Sequence, residues 1–317
     1  MIVRDRPSGL RLFLILRGSI LNRIRAVLLV NVLVAIAVTI THGALFELKI
    51  TLTAIPFTLI GLPLAIFLGF RNTAAYDRYW EGRKLWGELV FRSQNLARQC
   101  RSLISASRPA SAELGLDDVR VRMISRAIVH AYALRDRLRS KPPGAAPDPA
   151  LLPLLSTAEW EAMARSSNPP ATLLLRMGDD LAECVATGRI DGCRATSLDD
   201  TFSAMAAVAA ACDRIRTTPI PFSYTLLLHR TAYLYCFLLP FGLVDTIGFM
   251  TPFVVGIVAY TFFGLDALGD EIEEPFGTSA NDLPLDAICR NIEISLKEAI
   301  DHPDIPAPLA PVGYCLL

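Results

Sequence analysis

The stretch "LAIFLGFRNTAAYDRYWEGRKLWG", Leu64–Gly87, decides how this chain is read. Its first seven residues are apolar. From Arg71 onward it is dense in arginine, acidic and aromatic side chains, with no turn signal at the change. A helix that passes from oil to charge without stopping is one that leaves a membrane and continues into water. The upstream residues agree. Residues 50–70 carry no charge over 21 positions, and about 20 apolar residues at about 1.5 Å each cross a bilayer core. Downstream, Leu85, Leu89, Leu96 and Leu103 keep one-sided helical spacing while Arg and Glu take the other faces.

The rest of the chain fits this frame. Its 317 residues are 52% hydrophobic, with mean hydropathy +0.40, and the apolar residues fall in blocks. Lys plus Arg and Asp plus Glu number 31 each, so nothing electrostatic points to a nucleic-acid partner. The seven cysteines are scattered and show no CxxC, which argues against a zinc framework or a disulfide scaffold. Most read as small packing residues in a reducing compartment. No secretory signal is evident: the first apolar run is too long for a signal core and lacks a small-x-small cleavage site.

Four membrane spans are expected. Residues 26–46 form the first, with Asn31 inside it either making a helix–helix hydrogen bond in the packing or facing a pore. Residues 50–70 form the second. Pro56, Gly61, Pro63 and Gly69 predict a kink or break near 56–63, and irregular backbone at that depth belongs against protein or a wet cavity. After a breaker at "TTPIPF" (217–222), residues 231–265 hold one charge, Asp245, flanked by apolar runs of 14 and 20 residues. These read as a hairpin, with spans at about 225–244 and 250–268 and Asp245 in the loop. His229 and Arg230 are expected to snorkel.

Lys and Arg concentrate before the first span (Arg4, Arg6, Arg11, Arg17, Arg23, Arg25) and after the second (Arg71, Arg78, Arg83, Lys84, Arg92). The opposite loops offer only Lys49. The positive-inside rule then puts both termini and a helical body, 71–224, in the cytoplasm, with residues 1–25 and 269–317 as cytosolic end segments. Within that body, "SASRPASAELG" and "KPPGAAPDPA" (141–150) are breakers, 171–215 is Ala/Leu-rich helix, and nothing predicts a strand.

Enzyme signatures are missing: there is no HExxH, GxSxG or P-loop, and His42, His130, His229 and His302 fall on different predicted elements. Two constellations remain. In the second span, Leu62, Ile66 and Phe70 recur every four residues as a slowly drifting stripe. Such a stripe serves packing or lipid contact. Around a symmetry axis it also stacks three apolar rings, a constriction that gates by dewetting. In "GLDALGDEIEEPFGTSAND", Asp266, Asp270 and Glu273 share one helix face. They read as partners for nearby Arg or a solvated helix end, or else as oxygen ligands for a hard cation. The second option is the alternative function: a membrane enzyme or metal-dependent transporter using the 266–282 carboxylates.

"MIVRDRPSGLRLFL", "IFLGFRNTAAYDRYWEGRKLWG", "TPIPFSYTLLLHRTAYLYCFLLPFGL" and "GFMTPFVVGIVAYTFFGLDALGDEIEEPFGTSANDLPLD" together resemble the bestrophin family, specifically its bacterial branch. The resemblance implies an all-α, four-span membrane protein of the inner membrane that assembles as a homopentamer around one central pore. It implies a channel rather than an enzyme, with no cofactor, passing small monovalent ions passively. The implied partners are further copies of the chain, membrane lipid and those ions. The neck residues carry over to Leu62, Ile66 and Phe70. A cytosolic aperture carries over to the neighbourhood of Cys193, where relatives tend to have a bulkier aliphatic residue. The family as a whole implies chloride conduction. This neck has only one aromatic, a pattern that resembles bacterial members for which sodium conduction is a live reading. The acidic run that follows the PFG landmark in animal members is here "TSAND", 278–282. Only Glu273, Glu274 and Asp282 remain as weak metal candidates, so no metal site is expected.

Overall fold

The computed structural model describes residues 1–3, 9, 18–42, 44–45, 48–49, 52–142 and 146–317. Arg4, Arg6, Arg11, Arg17, Glu47 and the middle of the 141–150 breaker lie outside them. The fold is built almost wholly of helices: α1 Leu21–Ile40, α2 Ala54–Leu103, α3 Val119–Leu138, α4 Thr157–Arg165, α5 Pro169–Ala186, α6 Gly192–Thr217, α7 Phe222–Ile247, α8 Thr251–Glu273 and α9 Leu285–Ala299. Short 3-10 turns lie at Ala112–Asp117, Pro149–Leu154 and Gly248–Met250. One departure from the all-helical expectation is an antiparallel pair of two-residue strands: Ala44–Leu45, inside the span expected over 26–46, and Leu48–Lys49, in the loop expected after it. A tight reversal between two helices pairs its own backbone groups in this way.

The chain forms two compact units. One comprises Arg4–Tyr79 and Pro219–Pro275; the other comprises Met1–Val3, Trp80–Thr218 and Phe276–Leu317.

Among the described residues, three segments are long and apolar enough to cross a membrane: Leu21–Ile40, Ala54–Leu103, which runs on into the second unit, and Phe222–Glu273. Helix α1 begins about a turn before the apolar run, with the Ser19 hydroxyl accepting from Leu21 N–H at 3.2 Å. It stops at Ile40, where the Thr41 hydroxyl donates back to Ala37 O at 3.0 Å and His42 takes φ +48°. Asn31 is neither a pore-facing group nor a helix–helix hydrogen bond. It is fully buried, and its amide has no hydrogen-bond partner among the described residues.

Helix α2 runs unbroken for 50 residues and contains Pro63. The break expected near 56–63 does not occur. Pro56 falls in the first turn, where its missing N–H has no helical acceptor to lose. The segment Phe222–Glu273 divides into α7 and α8 at Gly248, whose φ of +52° is open to glycine at little cost. Asp245, expected in the loop, lies in the last turn of α7. The helices pack through three buried clusters: Ile24, Cys236, Ala259 and Phe263 join α1, α7 and α8; Ala35, Phe57, Leu239 and Val255 join all four; Leu64, Leu68, Leu228 and Ala232 join α2 to α7.

In the second unit, α3 is the central helix, buried along most of its length. It packs on α5 and α9. The Ala/Leu-rich stretch expected as one helix is two, α5 and α6, because Gly188 adopts φ +70° and Asp191 caps the second by accepting from Arg194 N–H at 3.0 Å. Buried ions here are paired. Asp180 accepts from Arg126 at 2.7 Å and Arg122 at 2.9 Å, and Glu293 accepts from Tyr132 at 2.6 Å and Lys297 at 2.9 Å. The chain ends meet backbone to backbone: Val3 N–H donates to Tyr314 O, and Leu316 N–H to Met1 O, each at 2.8 Å.

Candidate functional site

Helix α2 has two faces with opposite chemistry. Leu64, Leu68, Arg71 and Ala75 follow one another at helical spacing and are all buried. Leu59, Leu62, Ile66 and Phe70 follow one another on the other side and are exposed, Leu62 to 67% and Phe70 to 63%. A large apolar side chain left this open needs an outside partner, whether lipid, another protein or a dewetted passage. Here the exposed residues form a continuous stripe. The three residues singled out as a neck, Leu62, Ile66 and Phe70, all belong to it.

The change at Phe70–Arg71 is explained by the buried face. The helix turns Arg71 inward, with its side chain wholly shielded from solvent. Arg71 Nη1 donates to Asp266 Oδ1 at 2.8 Å and to Asp266 O at 3.2 Å; Nη2 donates to Asp270 and lies 3.6 Å from Glu273. The acidic face of α8 therefore serves as the partner set for an arginine. Arg71 does not meet water at the helix exit; it is the most enclosed charge there. Gly269 makes this approach possible, because a Cβ on it would run into Asn72 and stand 3.4 Å from Arg71 Nη1.

Further groups join the cluster. His229 Nδ1–H donates to Asp266 Oδ2 at 2.7 Å, and the ring lies 4.2 Å from that of Tyr233. Arg23 approaches Asp270 at 3.6 Å. Glu273 accepts from Ile220 N–H at 2.9 Å through its side chain and from Arg78 at 3.1 Å through its backbone carbonyl. Polar groups on all four helices of the unit are thus tied together directly beyond the apolar stripe. Sequence reading finds the acidic face of α8 but not Arg71 as its target, and not His229, which lies 37 residues from Asp266 in the chain.

The metal candidates are not assembled. Glu273 is committed to Arg71 and Ile220, Glu274 is exposed, and Asp282 accepts from Ser279 N–H at 2.7 Å within the other unit. Among the described residues, no three His, Cys, Asp or Glu side chains are placed to hold a metal ion. Cys193 is an exposed free thiol, the second residue of α6.

A long helix that leaves its apolar stretch without stopping, a neighbouring helix that binds its buried arginine and an exposed apolar stripe define a helical membrane protein. The family model described as "Bacterial/Fungal Bestrophin protein" matches residues 1–298. The chain belongs to the bestrophin family. It is 42% identical over 312 residues to the voltage-dependent anion channel-forming protein YneE of Escherichia coli K12, covering 98% of both chains. It is 44% identical over 301 residues to the voltage-dependent anion channel-forming protein mll4386 of Mesorhizobium japonicum, covering 95% of this chain and 92% of that one. Among solved structures it is similar to a bacterial bestrophin homologue from Klebsiella pneumoniae, with TM-score 0.80 and 38% identity over 87% of this chain and 98% of that chain.

Proposed function

We propose that this protein is a passive channel for small monovalent ions, formed by five copies around one axis, with the outward stripe of α2 as its hydrophobic neck. The observation that carries the reading is the exposure of Leu62, Ile66 and Phe70 on a helix whose opposite face is packed and charge-locked. Five copies of that stripe give three apolar rings, which admit ions by wetting and close by drying. The turn at Gly248 supports reading Phe222–Glu273 as two spans, for four in all, and the Lys/Arg distribution supports an inner-membrane protein with both termini and the helical body in the cytoplasm. The same reading includes a second, wider constriction in the body at Cys193, whose exposed thiol is consistent with it.

The anion-channel names of the relatives favour chloride as the permeant ion. A second reading, monovalent cation conduction, rests on the neck itself. Ring edges carry partial positive charge that favours anions, and here only Phe70 supplies one below two aliphatic rings. Purified protein in planar bilayers under an NaCl gradient tests both. The channel reading expects a current whose reversal potential lies near the chloride equilibrium potential, or near the sodium one for the second reading. A protein that carries no current contradicts both.

A further inference from the structure

We propose that Asp77 is a specificity-determining residue of the channel, a carboxylate that draws cations to the neck exit and holds back anions. The inference rests on the neck reading above. At about 100° per residue, the outward face of α2 defined by Leu59, Leu62, Ile66 and Phe70 continues in phase through Thr73 to Asp77. Both residues are exposed. Asp77 has no hydrogen-bond or ion-pair partner among the described residues, unlike Asp266, Asp270 and Glu273. The cations nearest in sequence do not oppose it from this face. Arg71 points inward and is bound by three carboxylates, and Arg78 Nε is held by the Glu273 carbonyl. Thr73 is neutral, and its hydroxyl donates to Gly69 O at 3.0 Å. Glu81, four residues beyond Asp77, is ion-paired with Arg214, and Lys84 is the next cation in phase. It lies about 20 Å along the helix from Phe70, more than twice the Debye length at physiological salt.

Asp77 is seven residues beyond Phe70, about 10 Å along the axis. Five copies place five negative charges around the passage just past its last apolar ring. At that distance, in water and one Debye length of screening, five unit charges enrich cations and deplete anions by roughly threefold each, a change in their relative population of roughly tenfold. An apolar neck supplies little selectivity of its own, so this field weighs on the choice of ion.

The test measures reversal potentials in an NaCl gradient for the unaltered protein, Asp77→Asn and Asp77→Lys. The chloride-to-sodium permeability ratio is expected to rise roughly tenfold in the first variant and further in the second. In the unaltered channel, raising salt from about 0.05 M to about 0.5 M at a fixed gradient should shift the ratio in the same direction through screening, and Asp77→Asn should lack that shift. Conducting channels with the same ratio in all three proteins, or an equal salt response in unaltered protein and Asp77→Asn, overturn the assignment of Asp77 while leaving the neck reading standing. Absence of current from the unaltered protein overturns both.

Discussion

The two faces of α2 are specified in different ways. On the buried face, Leu64 and Leu68 pack on Leu228 and Ala232, and Arg71 is ligated by Asp266, Asp270 and Glu273. Every residue there has a partner within the chain. On the outward face, Leu62, Ile66 and Phe70 have no such cover. The first face holds the unit together, and the second is left to whatever passes or assembles outside it. Substitutions on the two faces should therefore separate stability from conduction.

The largest effect is expected at Arg71. Arg71→Ala leaves three carboxylates facing one another in a shielded site, and breaking a buried ion pair from one side costs about 3–5 kcal/mol. Thermal melting of detergent-purified protein should show it as a large loss of stability or of folded yield. A melt like that of the unaltered protein would mean the cluster is solvated and the contrast between faces is wrong.

Acid sharpens the comparison from another side, because the second unit buries a group that titrates. His130 is enclosed in α3, its Nδ1–H donating to Pro170 O at 3.1 Å, and burial holds its pKa down to about 4. The unfolded chain protonates this ring near pH 6.5 and the folded chain does not. Its contribution is complete above about pH 6.5 and is lost as pH falls toward 4, by about 3 kcal/mol. Melting temperature followed from pH 7 to 4 should fall with a slope that His130→Gln flattens in that window. An unchanged slope in the variant removes His130 from the account.

Leu68→Ala should cost about 2 kcal/mol, the low end of buried Leu→Ala changes, because in lipid only packing is lost. Leu62→Ala should shift melting by less than about 0.5 kcal/mol while altering current. Equal stability losses at the two positions would break the distinction between faces.

Much of this was legible in the sequence, because helical period and hydropathy are local signals. The charge-free run of 50–70 and the spacing of Leu85, Leu89 and Leu96 mark one helix through Phe70–Arg71, and the structure has α2 continuous from Ala54 to Leu103. The stripe of Leu62, Ile66 and Phe70 and the shared face of Asp266, Asp270 and Glu273 follow from the same arithmetic. The sequence leaves open what each face meets. Arg71 and Asp266 are 195 residues apart, and only tertiary packing turns that arginine inward rather than toward water. The end of α1 at Ile40, the division at Gly188 and the helical position of Asp245 are set by single backbone conformations and caps, which hydropathy does not register. Asp77 looks like any surface acid until the helix phase puts it in line with Leu62, Ile66 and Phe70.

The central claim is that the outward face of α2 is the constriction. Unitary current through purified channels in planar bilayers, compared between the unaltered protein and the combined Leu62→Ala, Ile66→Ala and Phe70→Ala variant, tests it most directly. Smaller side chains widen and wet the passage, so the account predicts larger currents and a higher open fraction in a variant that melts like the parent. Identical unitary current and open fraction in the two proteins would contradict it.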